Sequence, residues 1–169
     1  MTASGLPIRQ RIRLRGFHYG GACAYYLTIC AFERRMLFGT CRDGIVSLDP
    51  IGQVVQSSWR ATADMRPDVV LDEHIVMPNH MHAILHLSRD APRKTLFSII
   101  AGFKSDVTST VRAMLSDKRY VVWQKRFHDR VIRSGKELEQ LREYIRANPA
   151  RWCGAERLQS DARKNDLPL

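Results

Sequence analysis

An α+β sandwich is the fold class this sequence predicts, and three observations predict it. Runs rich in β-branched and aromatic residues alternate with longer segments whose apolar residues return at helical spacing. They follow the order strand, helix, strand, strand, helix, strand, helix. A strand-helix-strand unit split by a further strand folds as a two-layer sandwich, so the expectation is a ferredoxin-like βαββαβ unit with an added C-terminal helix.

The first strand is expected over Tyr25 to Phe32, followed by a small hairpin with its turn at Asp43-Gly44 and a short apolar piece at Ile45 to Leu48. Pro50 suits a helix start after Asp49 as N-cap. Ile51, Val54, Val55, Ser58 and Trp59 form its inner face, and it stops before Pro67. Val69 to Met77 and His82 to Leu87 read as the next two strands, interrupted by Met77-Pro78-Asn79. After Pro92 a long amphipathic helix carries Leu96, Ile99, Ile100, Phe103, Val107, Val111 and Leu115 on one stripe. Phe127 to Ile132 is the fourth strand, and a helix from about Lys136 to Asn148 packs Leu138, Leu141 and Ile145 inward. Residues 1–20 are expected as a basic arm, 21–153 as the folded catalytic domain and 154–169 as a polar tail that frays.

The 169 residues suffice for one domain, and 27 Lys and Arg against 17 Asp and Glu leave a net charge of +10. That balance favours a polyanion, and nucleic acid outranks membrane because no apolar stretch approaches the ~20 residues of a span. The start lacks the apolar core of a signal peptide, so the expected location is the cytoplasm. Cys23, Cys30, Cys41 and Cys153 are scattered without a close pair and read as reduced packing residues. Arg9, Arg11, Arg13 and Arg15 alternate, so in an extended arm all project from one side toward phosphates. Lys104 and Arg112 give the long helix a basic surface, a second expected DNA contact.

The chemistry concentrates in two segments. His80 and His82 lie two apart on a predicted strand and so share a face. Tyr144 and Asn148 lie four apart at the end of a predicted helix and share one too. Two imidazoles, an amide oxygen and a phenol together suit a metal-assisted attack on a phosphodiester. By spacing alone the histidine pair favours zinc. His74 and His86 have the same parity but sit too far along the strand to join a first shell, and read as structural or DNA-neighbouring residues.

Pro78-Asn79-His80-Met81-His82 resembles the histidine-hydrophobic-histidine (HUH) motif of the single-tyrosine transposases of bacterial insertion sequences. The wider pattern is similar to the REP-associated tyrosine transposase branch. It includes Tyr26-Leu27-Thr28-Ile29-Cys30, Leu37-Phe38-Gly39, Phe103-Lys104-Ser105, Trp123-Gln124, Phe127 to Arg133 and Tyr144-Ile145-Arg146-Ala147-Asn148-Pro149. His128 and Arg130 depart from the tyrosine and histidine of that branch, as does the looser Tyr19-Gly20-Gly21. The resemblance implies Tyr144 as nucleophile through a 5′-phosphotyrosine, His80, His82 and Asn148 as metal ligands, and Mg²⁺ or Mn²⁺ rather than zinc. It implies single-stranded or hairpin DNA from repetitive extragenic palindromes as partner, acted on by a monomer or homodimer. No Walker loop is present, and a reaction that conserves the phosphodiester energy needs no nucleotide cofactor. Two alternatives share the charge: a non-catalytic binder of such hairpins with a vestigial site, and a metal-dependent phosphoesterase that uses water.

Overall fold

A computed structural model describes residues 23–87 and 96–165; the expected arm at residues 1–20, with its four arginines, and Pro92 lie outside them. The chain runs β1 (Cys23–Cys30), β2 (Gly39–Arg42), β3 (Ile45–Leu48), α1 (Pro50–Asp64), β4 (Val69–Met77), β5 (His80–Leu87), α2 (Leu96–Leu115), β6 (His128–Ile132) and α3 (Gly135–Asn165). The four long-range strands form an antiparallel sheet in the order β4-β5-β1-β6, which is the ferredoxin-like order, and β2 and β3 form a separate hairpin. Among the described residues no helix is long and apolar enough to cross a membrane.

One sheet face carries the main core. Tyr25, Leu27 and Ile29 of β1 and Met81, Ala83 and Leu85 of β5 are fully buried there against Val55 and Trp59 of α1 and Ile100, Phe103 and Val107 of α2. Each of the larger aliphatic and Phe side chains contributes about 1.5–3 kcal/mol by leaving water, which makes the sheet a rigid platform. At Gly52, α1 crosses so close to Phe38 that a Cβ would stand 1.9 Å from the Phe38 carbonyl oxygen. Only glycine fits there. The opposite face receives α3, through Ile84, Ile132 and Ile145 with Leu138 and Leu141 packed on them.

Several expectations need correction. β1 starts at Cys23 and ends at Cys30, and Ala31 instead bridges to Trp123. Leu115 is 43% exposed because α2 ends there and Ser116 turns the chain with a left-handed φ of 52°. The last helix does not stop at Asn148, and the expected fraying tail is helical in backbone as far as Asn165. Pro149 removes one helical hydrogen bond. Packing of Trp152 and Cys153 against Met77 and Cys41 holds the helix together beyond it.

His74 is the fourth correction. A two-residue turn at Pro78-Asn79 pairs Met77 with His80 and Ile75 with His82. Cross-strand partners share a face, so odd residues of β4 join even residues of β5. His74 pairs with Ala83 and lies on the face away from the two histidines. A bulge between Leu71 and His74 then returns Val69 and Leu71 to the main core.

Candidate active site

β5 is the source of the histidine pair. Its even residues His80, His82, Ile84 and His86 face α3, while Met81, Ala83 and Leu85 face the core. His80 and His82 are buried, and their Nε2 atoms lie 3.2 Å apart. Burial, with a smaller contribution from His82, pulls the His80 imidazole down to about 3. Burial pulls His82 down to about 4, against an opposing backbone hydrogen bond at Leu27. Both rings are therefore neutral at pH 7, the state in which imidazole offers a lone pair.

The far ring nitrogens differ in what they allow. The Asn79 side-chain amide donates to the Arg34 carbonyl at 3.2 Å, which turns its Oδ1 toward His80 Nδ1 at 2.8 Å. A carbonyl oxygen only accepts, so His80 must carry its proton on Nδ1 and leave Nε2 bare. His82 Nδ1 instead meets two hydroxyls, Tyr26 at 2.8 Å and Thr28 at 3.0 Å, which can donate or accept. His82 is free to hold a proton on Nε2, toward His80, or to release it. Burial pushes the Tyr26 phenol up, so it stays a neutral hydrogen-bonding group. The loop presenting the Arg34 carbonyl holds Glu33 and Arg34 at left-handed φ of 52° and 54°, a strain that residues of this kind adopt where geometry is demanded.

α3 closes the site along one stripe. The Tyr144 ring centroid lies 5.5 Å from that of His82, edge-on, and the Trp152 ring lies 5.4 Å from His80. Asn148 is midway between them at i, i+4, i+8 spacing and is itself buried, so it faces the histidine pair. Tyr144 is 36% exposed, reachable from outside while its ring packs on the buried His82. The Arg151 guanidinium lies 5.3 Å from the Tyr144 ring centroid.

The pair also suits a cation on distance. Two imidazole nitrogens at ~2.1 Å from one ion stand ~3.0 Å apart in cis-octahedral geometry and ~3.4 Å apart in tetrahedral geometry. The observed 3.2 Å lies between them and does not choose the ion. Among the described residues no three His, Cys, Asp or Glu side chains cluster.

The other sequence candidates have different partners. Lys104 donates to the Gln124 carbonyl at 2.5 Å and Arg112 to the Tyr120 carbonyl at 3.0 Å, so both brace the loop after α2. His86 donates to Asp72 at 2.8 Å, which makes it structural. Arg9, Arg11, Arg13 and Arg15 lie outside the described residues. Sequence reasoning assigned no role to Asn79, Thr28, Tyr26, Trp152 or Arg151. The usable signals were adjacency for Asn79 and spacings from Tyr144 of eight for Trp152 and seven for Arg151.

Charge fixes the position of α3. Asp72, at the β4 bulge, receives Arg142 Nε at 3.0 Å and Nη2 at 2.7 Å besides His86, and Arg146 pairs with Glu73 at 2.8 Å. Arg142 lies two residues before Tyr144, so this network sets the helix against the sheet where the tyrosine sits.

No protein-family model matches the sequence. An uncharacterized protein of Haemophilus influenzae is 30% identical over 168 residues, covering 88% of this chain and 92% of that protein. Among solved structures, a REP-associated tyrosine transposase bound to a REP hairpin superposes with a TM-score of 0.61 at 21% identity, over 80% of this chain and 71% of that one. A Deinococcus radiodurans R1 protein proposed to be a transposase gives 0.51 at 16% identity, over 79% of this chain and 94% of that one. The chain thus belongs to one family with the Haemophilus influenzae protein, and its fold is that of the tyrosine transposases.

Proposed function

We propose that this protein is a metal-dependent DNA strand transferase that cuts and rejoins single-stranded or hairpin DNA, of the repetitive extragenic palindrome type, through Tyr144. The observation that carries the reading is the α3 stripe, which lays Tyr144 on His82, Trp152 on His80 and Asn148 between them. The fold shared with a transposase solved on a REP hairpin supports the same substrate class, and the +10 charge supports a polyanion.

His80, His82 and Asn148 would hold Mg²⁺ or Mn²⁺, which when bound supplies charge to polarise the scissile phosphate. The protein's own groups do the rest. Asn79 orients His80 with its lone pair toward the site, and His82 would meet a cation as its other neutral tautomer, with the single proton on Nδ1 toward Tyr26 and Thr28 and Nε2 bare. The Tyr144 oxygen attacks phosphorus, its proton passes to solvent, and the 3′ oxygen leaves and takes up a proton. The product is a 5′-phosphotyrosine and a free 3′-hydroxyl. Attack by a 3′-hydroxyl on that linkage reverses the step, so rejoining needs no nucleotide. Arg151 beside the Tyr144 ring offers charge to the phosphate.

Incubating the full-length protein with a palindromic hairpin and Mg²⁺ or Mn²⁺ should give an SDS-resistant adduct, mapped by mass spectrometry to the Tyr144 peptide through a 5′ phosphate. Tyr144→Phe should bind the hairpin normally and form no adduct. Cleavage by that variant at the wild-type rate points to water as nucleophile. Binding without cleavage by the wild type, across several palindromes and both ions, points to a vestigial binder.

A further inference from the structure

We propose that Cys41 and Cys153 form a redox-active dithiol, which peroxide converts to a disulfide that fastens the Tyr144 helix to the β2–β3 hairpin. The two residues are 112 apart in sequence, yet their sulfurs lie 2.8 Å apart. Both are reduced, and both are buried with 9% exposure among Met77, Val46, Ile75 and Trp152. A disulfide bond is ~2.05 Å long, so bond formation draws the sulfurs together by less than about 1 Å. The hairpin turn lies close on α3, since a Cβ added at Gly44 would stand 3.6 Å from the Ala150 Cα.

The surrounding hydrogen bonds divide the roles. The Gly44 N–H donates to Cys153 Sγ at 3.4 Å, so this sulfur is a hydrogen-bond acceptor. Cys41 Sγ donates to the Pro149 carbonyl at 3.5 Å, so its proton is engaged there. Cys153 is therefore the attacking thiol and Cys41 the resolving one. The Cys153 sulfur gives up its proton and attacks one peroxide oxygen, the O–O bond breaks, the departing hydroxide takes up a proton to leave as water, and a sulfenic acid remains on Cys153. Cys41 sulfur then attacks the sulfenic sulfur, its proton goes to the departing hydroxyl, and a second water is released. Two thiols and one hydrogen peroxide give one disulfide and two waters, with both sulfurs oxidised and both peroxide oxygens reduced.

Oxidation acts on the site through place. Cys153 follows Trp152, whose ring covers His80, and lies five residues beyond Asn148 on the same helix. The bond ties that end of α3 to the hairpin without displacing it. The dithiol stands independently of the DNA chemistry, and its test reads no DNA step.

The full-length protein is treated with graded hydrogen peroxide, alkylated, and digested without reductant for mass spectrometry. The expected product is a Cys41–Cys153 linked peptide, two hydrogens lighter than its parts and released by dithiothreitol. Cys41→Ser should stop at a sulfenic acid on Cys153, captured by dimedone. The oxidised wild type should melt at least about 5 °C above the reduced protein, because the link closes a long loop in the unfolded chain. Alkylation of both thiols after peroxide, or cross-links running to Cys23 or Cys30 in place of this pair, would overturn the proposal.

Discussion

Replacing Asp72 with Asn tests how α3 is held, and its effect must vanish in acid. Asp72 accepts two hydrogen bonds from Arg142 and one from His86, and its Oδ1 takes the Glu73 N–H at 2.7 Å. The hydrogen bond from Arg142, ahead of the opposing burial and the contribution of His86, holds the Asp72 carboxyl well below the usual carboxylate range. Charged hydrogen bonds contribute about 1.5–3 kcal/mol each when fully buried. Arg142 and His86 are 31% and 34% exposed in their side chains, so solvent screens these and the whole set is worth about 2 kcal/mol. For a chain of this size that lowers the melting temperature by about 4–8 °C at pH 7.

A carboxyl whose pKa falls on folding stabilises the fold above its unfolded pKa of ~3.9 and loses that contribution as pH drops toward the folded value. Wild type and Asp72→Asn should therefore melt apart between pH 5 and 8 in assays run at those values, and converge progressively below about pH 4. Thermal denaturation by circular dichroism reads this directly. A gap as wide at pH 3 as at pH 7 refutes the charge argument and leaves only packing.

Two further outcomes follow from the site and the charge. Asn79→Ala removes the acceptor that sets the His80 tautomer, so cleavage and Mn²⁺ affinity should fall about 10–100-fold while hairpin affinity stays within a few-fold; an unchanged cleavage rate removes Asn79 from the machinery. Deleting residues 1–15 should weaken binding to single-stranded DNA and flatten the slope of log K against log salt by ~0.7 for each phosphate the arm had neutralised; an unchanged slope makes the arm a solvated tail.

The sequence by itself determined the element order, because hydrophobic period is a local property. Strand, helix and hairpin positions followed from β-branched runs, from the Asp43-Gly44 turn, and from the Leu96 to Val111 stripe. It also determined which side chains to compare: His80 with His82 by strand parity, and Tyr144 with Asn148 by helical turn. The meeting of those two pairs is a tertiary fact, since sixty residues separate them and only packing of α3 on the sheet brings their faces together.

Parity also failed where the chain reversed. The two-residue turn at Pro78-Asn79 put His74 on the far face, which no residue count along a single strand reveals. Local propensity opposes a mid-helix proline such as Pro149, yet the packing of Trp152 and Cys153 outweighs that cost. The Cys41–Cys153 approach, the Asn79 relay to His80 and the Asp72–Arg142 pair all join residues distant in sequence or depend on a neighbour's orientation. Such pairings have no periodic signature. They exist only once the layers have packed.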